Sequence, residues 1–221
     1  MRSDKSNRPS AHECAERTRA YFESVYPVRG SNAGQGWARA REERRIALVR
    51  EWMQECRGTD VLDVGCGDGC FLEAVLTPHV RRIRVEDLVP ARVSEAARRV
   101  GGAGRTVEAA VADINEPARD GDAFDVVLAI GVTDYNPNWD AIIANLCRRA
   151  RNTVIVDFPI ARGMRGAARR LWLGWHGVTL RSTTLEELRP LLARHAGAIE
   201  VVDLGLNYTV RLTPGLENGP G

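Results

Sequence analysis

The stretch Val61-Leu62-Asp63-Val64-Gly65-Cys66-Gly67-Asp68-Gly69 decides the fold of this chain. It reads as a hydrophobic strand running straight into a G-x-G-x-G turn. Three glycines in five residues cost backbone entropy, and they make sense where the chain turns tightly and a ligand lies against bare backbone. Val61, Leu62 and Val64 are apolar, as in a central strand covered on both faces. Asp63 is the exception, an acid near the end of the run. Residues Cys70 to Leu76 read as a helix that ends before Pro78. A strand, a glycine turn and a helix at the first crossover place a ligand at the C-terminal edge of a parallel sheet.

Two nucleotide-binding readings compete for this turn. The dinucleotide fingerprint requires G-x-G-x-x-G, and Cys70 stands where its third glycine would fall. The acid two residues before Gly65 instead resembles motif I of the class I S-adenosylmethionine (SAM)-dependent methyltransferases, V-L-D-x-G-C-G-x-G. The resemblance implies that Asp63, Gly65, Cys66 and Gly67 surround the cofactor.

Downstream segments fit the same family in order. Arg82–Asp87 reads as a second strand ending in the acids Glu86 and Asp87. Pro90 opens a helix at its first turn, where the missing N–H costs nothing. The resemblance assigns the ribose diol to Asp87, with Glu86 as the rival, and places Leu88 beside the cofactor. A third strand, Thr106–Ala112, leads to Asp113-Ile114, where the family holds adenine: the carboxylate accepts from the exocyclic amine and the next backbone N–H donates to a ring nitrogen. Phe124–Ile130 reads as the fourth strand, with Ile130 also beside the cofactor. Pro137 is expected to start a helix whose buried stripe is Trp139, Ile142, Ile143, Leu146 and Ala150. Thr153–Phe158 reads as the fifth strand.

This alternation predicts an α/β, Rossmann-like, doubly wound sheet with helices on both faces. The C-terminal part departs from it. Thr183 and Glu186 predict a capping box opening a helix to His195, with Gly197 at its C′ position. Ala198–Leu204 and Tyr208–Leu212 predict an antiparallel hairpin. The family resemblance implies seven strands, mostly parallel, with one antiparallel. The expected organisation is an N-terminal helical cap over residues 1–55, its first ten or so residues disordered, a SAM-binding domain over 56–213 and a flexible tail over 214–221. The cap contains helices near Arg17–Tyr26 and over Trp37–Cys56, joined by a glycine-rich linker. Such helices commonly fold over the cofactor, which makes Arg41, Arg44 and Arg45 candidates for its carboxylate.

Composition narrows the function. A chain of 221 residues is most simply one domain. No apolar run reaches the length of a membrane span and no leader is visible, so a cytoplasmic setting is expected. Five cysteines do not suggest a disulfide framework, and His12-x-Cys14 lacks a second ligand pair, so no metal is expected. A net charge of +2 does not suggest a nucleic-acid binder, and Lys5 is the only lysine among 31 basic residues. The amine-methylating nucleic-acid enzymes carry a D/N/S-P-P-aromatic motif after strand four; Ile130–Tyr135 lacks it. The expected partner is therefore a small-molecule methyl acceptor.

The segment 160–182 is expected to form an acceptor lid. Trp172 and Trp175 suit an aromatic or lipophilic acceptor, and Arg162, Arg165, Arg169 and Arg170 an anionic one. A basic amphipathic helix there also permits membrane-surface contact, which is not favoured. Asp134, Tyr135 and His176 are the candidate general bases. The expected activity is SAM-dependent methyl transfer to an O, N or C atom in natural-product tailoring. The alternatives are a non-methylating SAM-fold enzyme, such as a cyclase or decarboxylase, and a non-catalytic SAM-binding partner protein.

Overall fold

The computed structural model describes residues 11–25, 37–102, 104–117, 122–136, 138–160 and 181–215. The proposed lid, with His176 and both of its tryptophans, lies outside them apart from its ends, as do residues 1–10, the glycine-rich linker and the last six residues.

Two helices come first, α1 (Ala11–Val25) and α2 (Trp37–Cys56). The sheet then builds through β1 (Asp60–Val64), α3 (Cys70–Val75), β2 (Arg82–Asp87), α4 (Pro90–Val100), β3 (Thr106–Val111), β4 (Phe124–Ala129), α5 (Trp139–Arg149) and β5 (Ala150–Pro159). It closes with α6 (Leu185–Leu192) and the hairpin β6 (Ala196–Asp203) and β7 (Asn207–Pro214). The seven strands lie in the order β3-β2-β1-β4-β5-β7-β6. The first five are parallel, and β7 runs antiparallel to both β5 and β6. The expected seven-stranded sheet with one reversed strand is the one observed.

Both faces are covered, which explains the unbroken apolar runs in the central strands. On one face, Trp139, Ile142, Ile143 and Leu146 of α5 and Leu188, Leu191 and Leu192 of α6 pack on Leu62, Val127, Val154, Val156 and Phe158. On the other, Val49, Trp52 and Met53 of α2, Leu72 and Val75 of α3 and Val93 and Ala96 of α4 pack on Val61, Ile83, Val85, Leu128 and Ile155. Fully burying one such aliphatic side chain stabilises the fold by about 1.5–3 kcal/mol. The two sets alternate along the central strands β1, β4 and β5, which contribute to both layers.

Four local expectations are corrected. The capping box uses Thr184 and Glu187, not Thr183 and Glu186: Thr184 accepts from the Glu187 backbone N–H, and the Glu187 carboxylate accepts from that of Thr184. Thr183 is held in an extended bridge, its own N–H donating to the Pro159 carbonyl at 2.9 Å. Gly197 is not a helix C′ residue; α6 ends at Leu192, and Gly197 sits in β6 where its register against β7 shifts. Helix α5 starts at Trp139, its N-cap being Asn138, whose side chain accepts from the Ala141 N–H; Pro137 lies outside the described residues. Finally, no helix occurs between β3 and β4 among the described residues, so the alternation is incomplete there. No described helix is long and apolar enough to cross a membrane.

Candidate active site

The C-terminal ends of β1, β2, β3 and β4 open onto one cavity, lined from the first by Val64, Gly65 and Gly67. The turn is suspended from the neighbouring strand: the N–H groups of Gly65 and Cys66 both donate to the Glu86 carbonyl, at 2.7 and 2.9 Å. Gly65 has φ 71°, and the side chain of Val132 occupies the place where its Cβ would stand. Gly67 also has a positive φ, 54°, and only Arg92 Nη1 approaches the position of a Cβ there, at 3.6 Å. The turn thus presents bare backbone to the cavity, as a bulky ligand requires.

The two acids closing β2 separate cleanly. Asp87 lines the cavity; its Oδ2 accepts from the Gly67 N–H and its Oδ1 from the Val89 N–H, both at 3.0 Å. These bonds fix the carboxylate and leave further lone pairs for a ligand. Glu86 is buried on the opposite face in an ion pair with Arg149, at 2.7 and 2.8 Å, which Arg84 and Asp122 extend.

Asp113 and Ile114 line the cavity after β3. Asp113 Oδ1 accepts from both the backbone and side-chain N–H groups of Asn115, at 2.9 and 2.7 Å. Asn115 Oδ1 in turn accepts from Asn136 Nδ2 at 2.7 Å, which joins the loops after β3 and β4. Asn145, buried in α5, secures the same loop by donating to the Ile114 and Glu116 carbonyls, at 2.9 and 2.6 Å.

Asp63 does not line the cavity; it is buried behind the turn, where burial and then the Asp87 carboxylate push its carboxyl up to about 7. Cys66 and Ile130 do not line the cavity either. The Cys66 thiol is pushed up by burial and by Asp63 and Asp87, which disfavours its thiolate. Leu88 lines the cavity. Of the candidate bases, Tyr135 lines it, Asp134 is buried in the short 3-10 turn Thr133–Tyr135 and does not, and His176 is outside the described residues.

None of the candidate cap arginines Arg41, Arg44 and Arg45 lines the cavity. Arg45 is engaged by Glu42 at 2.7 Å and Asp157 at 2.9 Å. Thr18 of α1 does line it, so the first helix lies against the cavity. Sequence reasoning missed Thr18, Arg92, Asn115, Val132 and Asn136. The spacing Asp113-x-Asn115 is a local signal for a side-chain-closed turn; the others have no signature outside the fold.

The strand order and the glycine turn match a Rossmann-like methyltransferase fold. Residues 61–153 match the family model described as a methyltransferase domain. Among solved structures, the chain is similar to magnesium protoporphyrin IX methyltransferase from Synechocystis PCC 6803 with bound SAM, at 18% identity and a TM-score of 0.64, covering 94% of this chain and 100% of that one. It is similar to the N-methyltransferase NodS from Bradyrhizobium japonicum WM9 with bound S-adenosyl-L-homocysteine (SAH), at 16% identity and a TM-score of 0.65, covering 90% and 98%. A protein from Pyrococcus horikoshii OT3 matches at 19% identity and a TM-score of 0.63, covering 89% and 99%. No curated protein sequence matches the chain. Identities this low establish a shared fold, and magnesium protoporphyrin IX is the acceptor of the Synechocystis enzyme alone.

Proposed function

We propose that this enzyme transfers the methyl group of SAM to an O, N or C atom of a small molecule, in a cytoplasmic, natural-product-tailoring setting. The observation that carries the reading is Asp87. It stands on the cavity, fixed by two backbone N–H groups, while its neighbour Glu86 is consumed by Arg149. A fixed carboxylate is what vicinal ribose hydroxyls require as an acceptor.

In this reading Asp87 holds the ribose, Asp113 and the Ile114 N–H hold adenine, and Leu88 packs beside it. The bare backbone at Gly65 and Gly67 takes the methionyl portion, with Asp63, Cys66 and Ile130 behind it. When bound, SAM supplies an electrophilic methyl on a sulfonium. The protein's part is to align the acceptor with that methyl and exclude water, and alignment alone accounts for a large share of such a rate enhancement. Tyr135 is the cavity-lining candidate for taking a proton from the acceptor, with Asp134 and His176 as the others. The acceptor's character, aromatic, lipophilic or anionic, follows from the aromatic and Arg content of 160–182. The cap over 1–55 and a domain over 56–213 complete the organisation.

Calorimetry with SAM, SAH and NAD tests the cofactor reading, for which SAM and SAH bind and NAD does not. Incubation of metabolite extracts with methyl-labelled SAM tests the reaction: label in an extract molecule is the expected result. Consumption of SAM without label transfer would make this another SAM-fold chemistry.

A further inference from the structure

Asp157 closes β5 and is fully buried. Three donors converge on its carboxylate: the Gly131 backbone N–H on Oδ1 at 2.7 Å, and Arg45 Nη1 at 2.9 Å and Asn207 Nδ2 at 3.2 Å on Oδ2. Its backbone carbonyl accepts from the Thr133 hydroxyl at 2.5 Å. Burial pushes this carboxyl up, while Arg45 and the Gly131 N–H pull it back. The donor set is that of a carboxylate.

These contacts join three parts of the molecule that sequence separates widely. Arg45 belongs to α2, Gly131 and Thr133 to the loop after β4, and Asn207 to the start of β7. Gly131 and Val132 line the cavity, and Val132 packs into the space above Gly65. A continuous set of contacts therefore runs from α2 through Arg45 and Asp157 to Gly131, Val132 and the glycine turn. Phe71 of α3 supports the Arg45 end, its ring centroid 5.0 Å from the guanidinium carbon.

We infer that Asp157 is a positioning residue: paired with Arg45, it holds Gly131 and Val132 against the glycine turn and ties helix α2 to the cofactor cavity. No motif of the sequence marked Asp157, and Arg45 was expected to face the cofactor itself. The pair acts instead through the loop. An acid at this place resolves two requirements at once, because one oxygen accepts the Gly131 N–H while the other neutralises a cation from the cap. The inference rests on the proposed SAM reading for its effect on binding, but the latch itself is a property of the ligand-free protein.

Hydrogen exchange and calorimetry on the full chain test it, using Asp157→Ala, Asp157→Asn and Arg45→Met. In the ligand-free protein, Asp157→Ala raises exchange in peptides covering 131–136 and in α2, and Asp157→Asn, which keeps an oxygen for Gly131, restores protection of 131–136. SAM then binds Asp157→Ala about tenfold more weakly, and Asp157→Asn within about threefold of the parent. Arg45→Met exposes α2 to exchange while 131–136 stays closer to the parent. Unchanged exchange at 131–136 in Asp157→Ala would overturn the inference, whatever SAM does. So would Asp157→Asn losing as much protection and affinity as the alanine variant. If Asp157→Ala does not fold, the asparagine and Arg45→Met variants still decide it: both matching the parent in exchange and SAM affinity overturns it. Failure of the parent protein to bind SAM would instead count against the cofactor reading and leave the exchange result to stand alone.

Discussion

Glu86 and Asp87 are adjacent in β2 and turn to opposite faces of the sheet, one into a buried ion pair with Arg149 and the other onto the cavity. Strand geometry makes this division unavoidable, since successive side chains alternate faces. Their substitution should therefore produce two different defects. Asp87→Ala should weaken SAM at least tenfold, because each hydrogen bond to a charged group is worth about 1.5–3 kcal/mol and about 1.4 kcal/mol is a factor of ten. Glu86→Ala should leave Arg149 and Arg84 with Asp122 as their one remaining acid in this cluster, costing up to about 3–5 kcal/mol of stability. Calorimetry and thermal unfolding on both variants check this; a larger binding defect in Glu86→Ala at matched folding would reverse the assignment.

Gly65→Ala should destabilise the protein through two separable terms. An L-residue at φ 71° costs about 1–2 kcal/mol, and the new methyl collides with Val132. Adding Val132→Ala should recover the collision but not the backbone cost. A double-mutant cycle by denaturant unfolding measures the coupling, and strict additivity would show that Val132 has moved aside freely.

Asp63 makes the ligand-free protein sensitive to pH. Its carboxyl is raised from 3.8 to about 7, so between those values the folded state binds a proton that the unfolded state has released. Stability from this group is present below pH 3.8, falls as pH rises through that interval and is lost above about 7. A cationic ligand beside it favours the carboxylate, so SAM should bind more tightly as pH rises through 7 and should release a proton on binding. Calorimetry in buffers of different ionisation enthalpy reads that proton directly. Asp63→Asn should abolish the release and flatten the stability profile over the same interval.

Tyr135→Phe separates proton removal from cofactor binding. If the hydroxyl takes the acceptor's proton, turnover should fall by about 10²–10⁴-fold with SAM affinity retained. Equal turnover in the two proteins, measured on an acceptor found with labelled SAM, would restrict Tyr135 to shaping the cavity.

Much of this molecule was readable before folding. The order of strands and helices follows from apolar runs, glycine and proline, because these act within a few residues of themselves. The positions of Gly65, Gly67, the acid pair Glu86-Asp87 and Asp113 were legible for the same reason: each sits at a strand end whose position a local pattern gives away. The capping box missed by one residue because Thr183 and Thr184 are equivalent in local chemistry, and only the bridge from Ile160 to Thr183 decides between them.

The amino-acid sequence by itself determined the doubly wound sheet, the glycine turn and the placing of an acid after each of β2 and β3. The tertiary structure alone decided which acid of the pair Glu86-Asp87 meets the cavity, that Arg45 serves Asp157, and that Asn115 and Asn136 join two loops. The physical reason is range. Backbone propensity and hydrophobic period are local, whereas an ion pair between residues 45 and 157, or a side chain lying over Gly65 from residue 132, exists only once the sheet has brought distant segments within bonding distance.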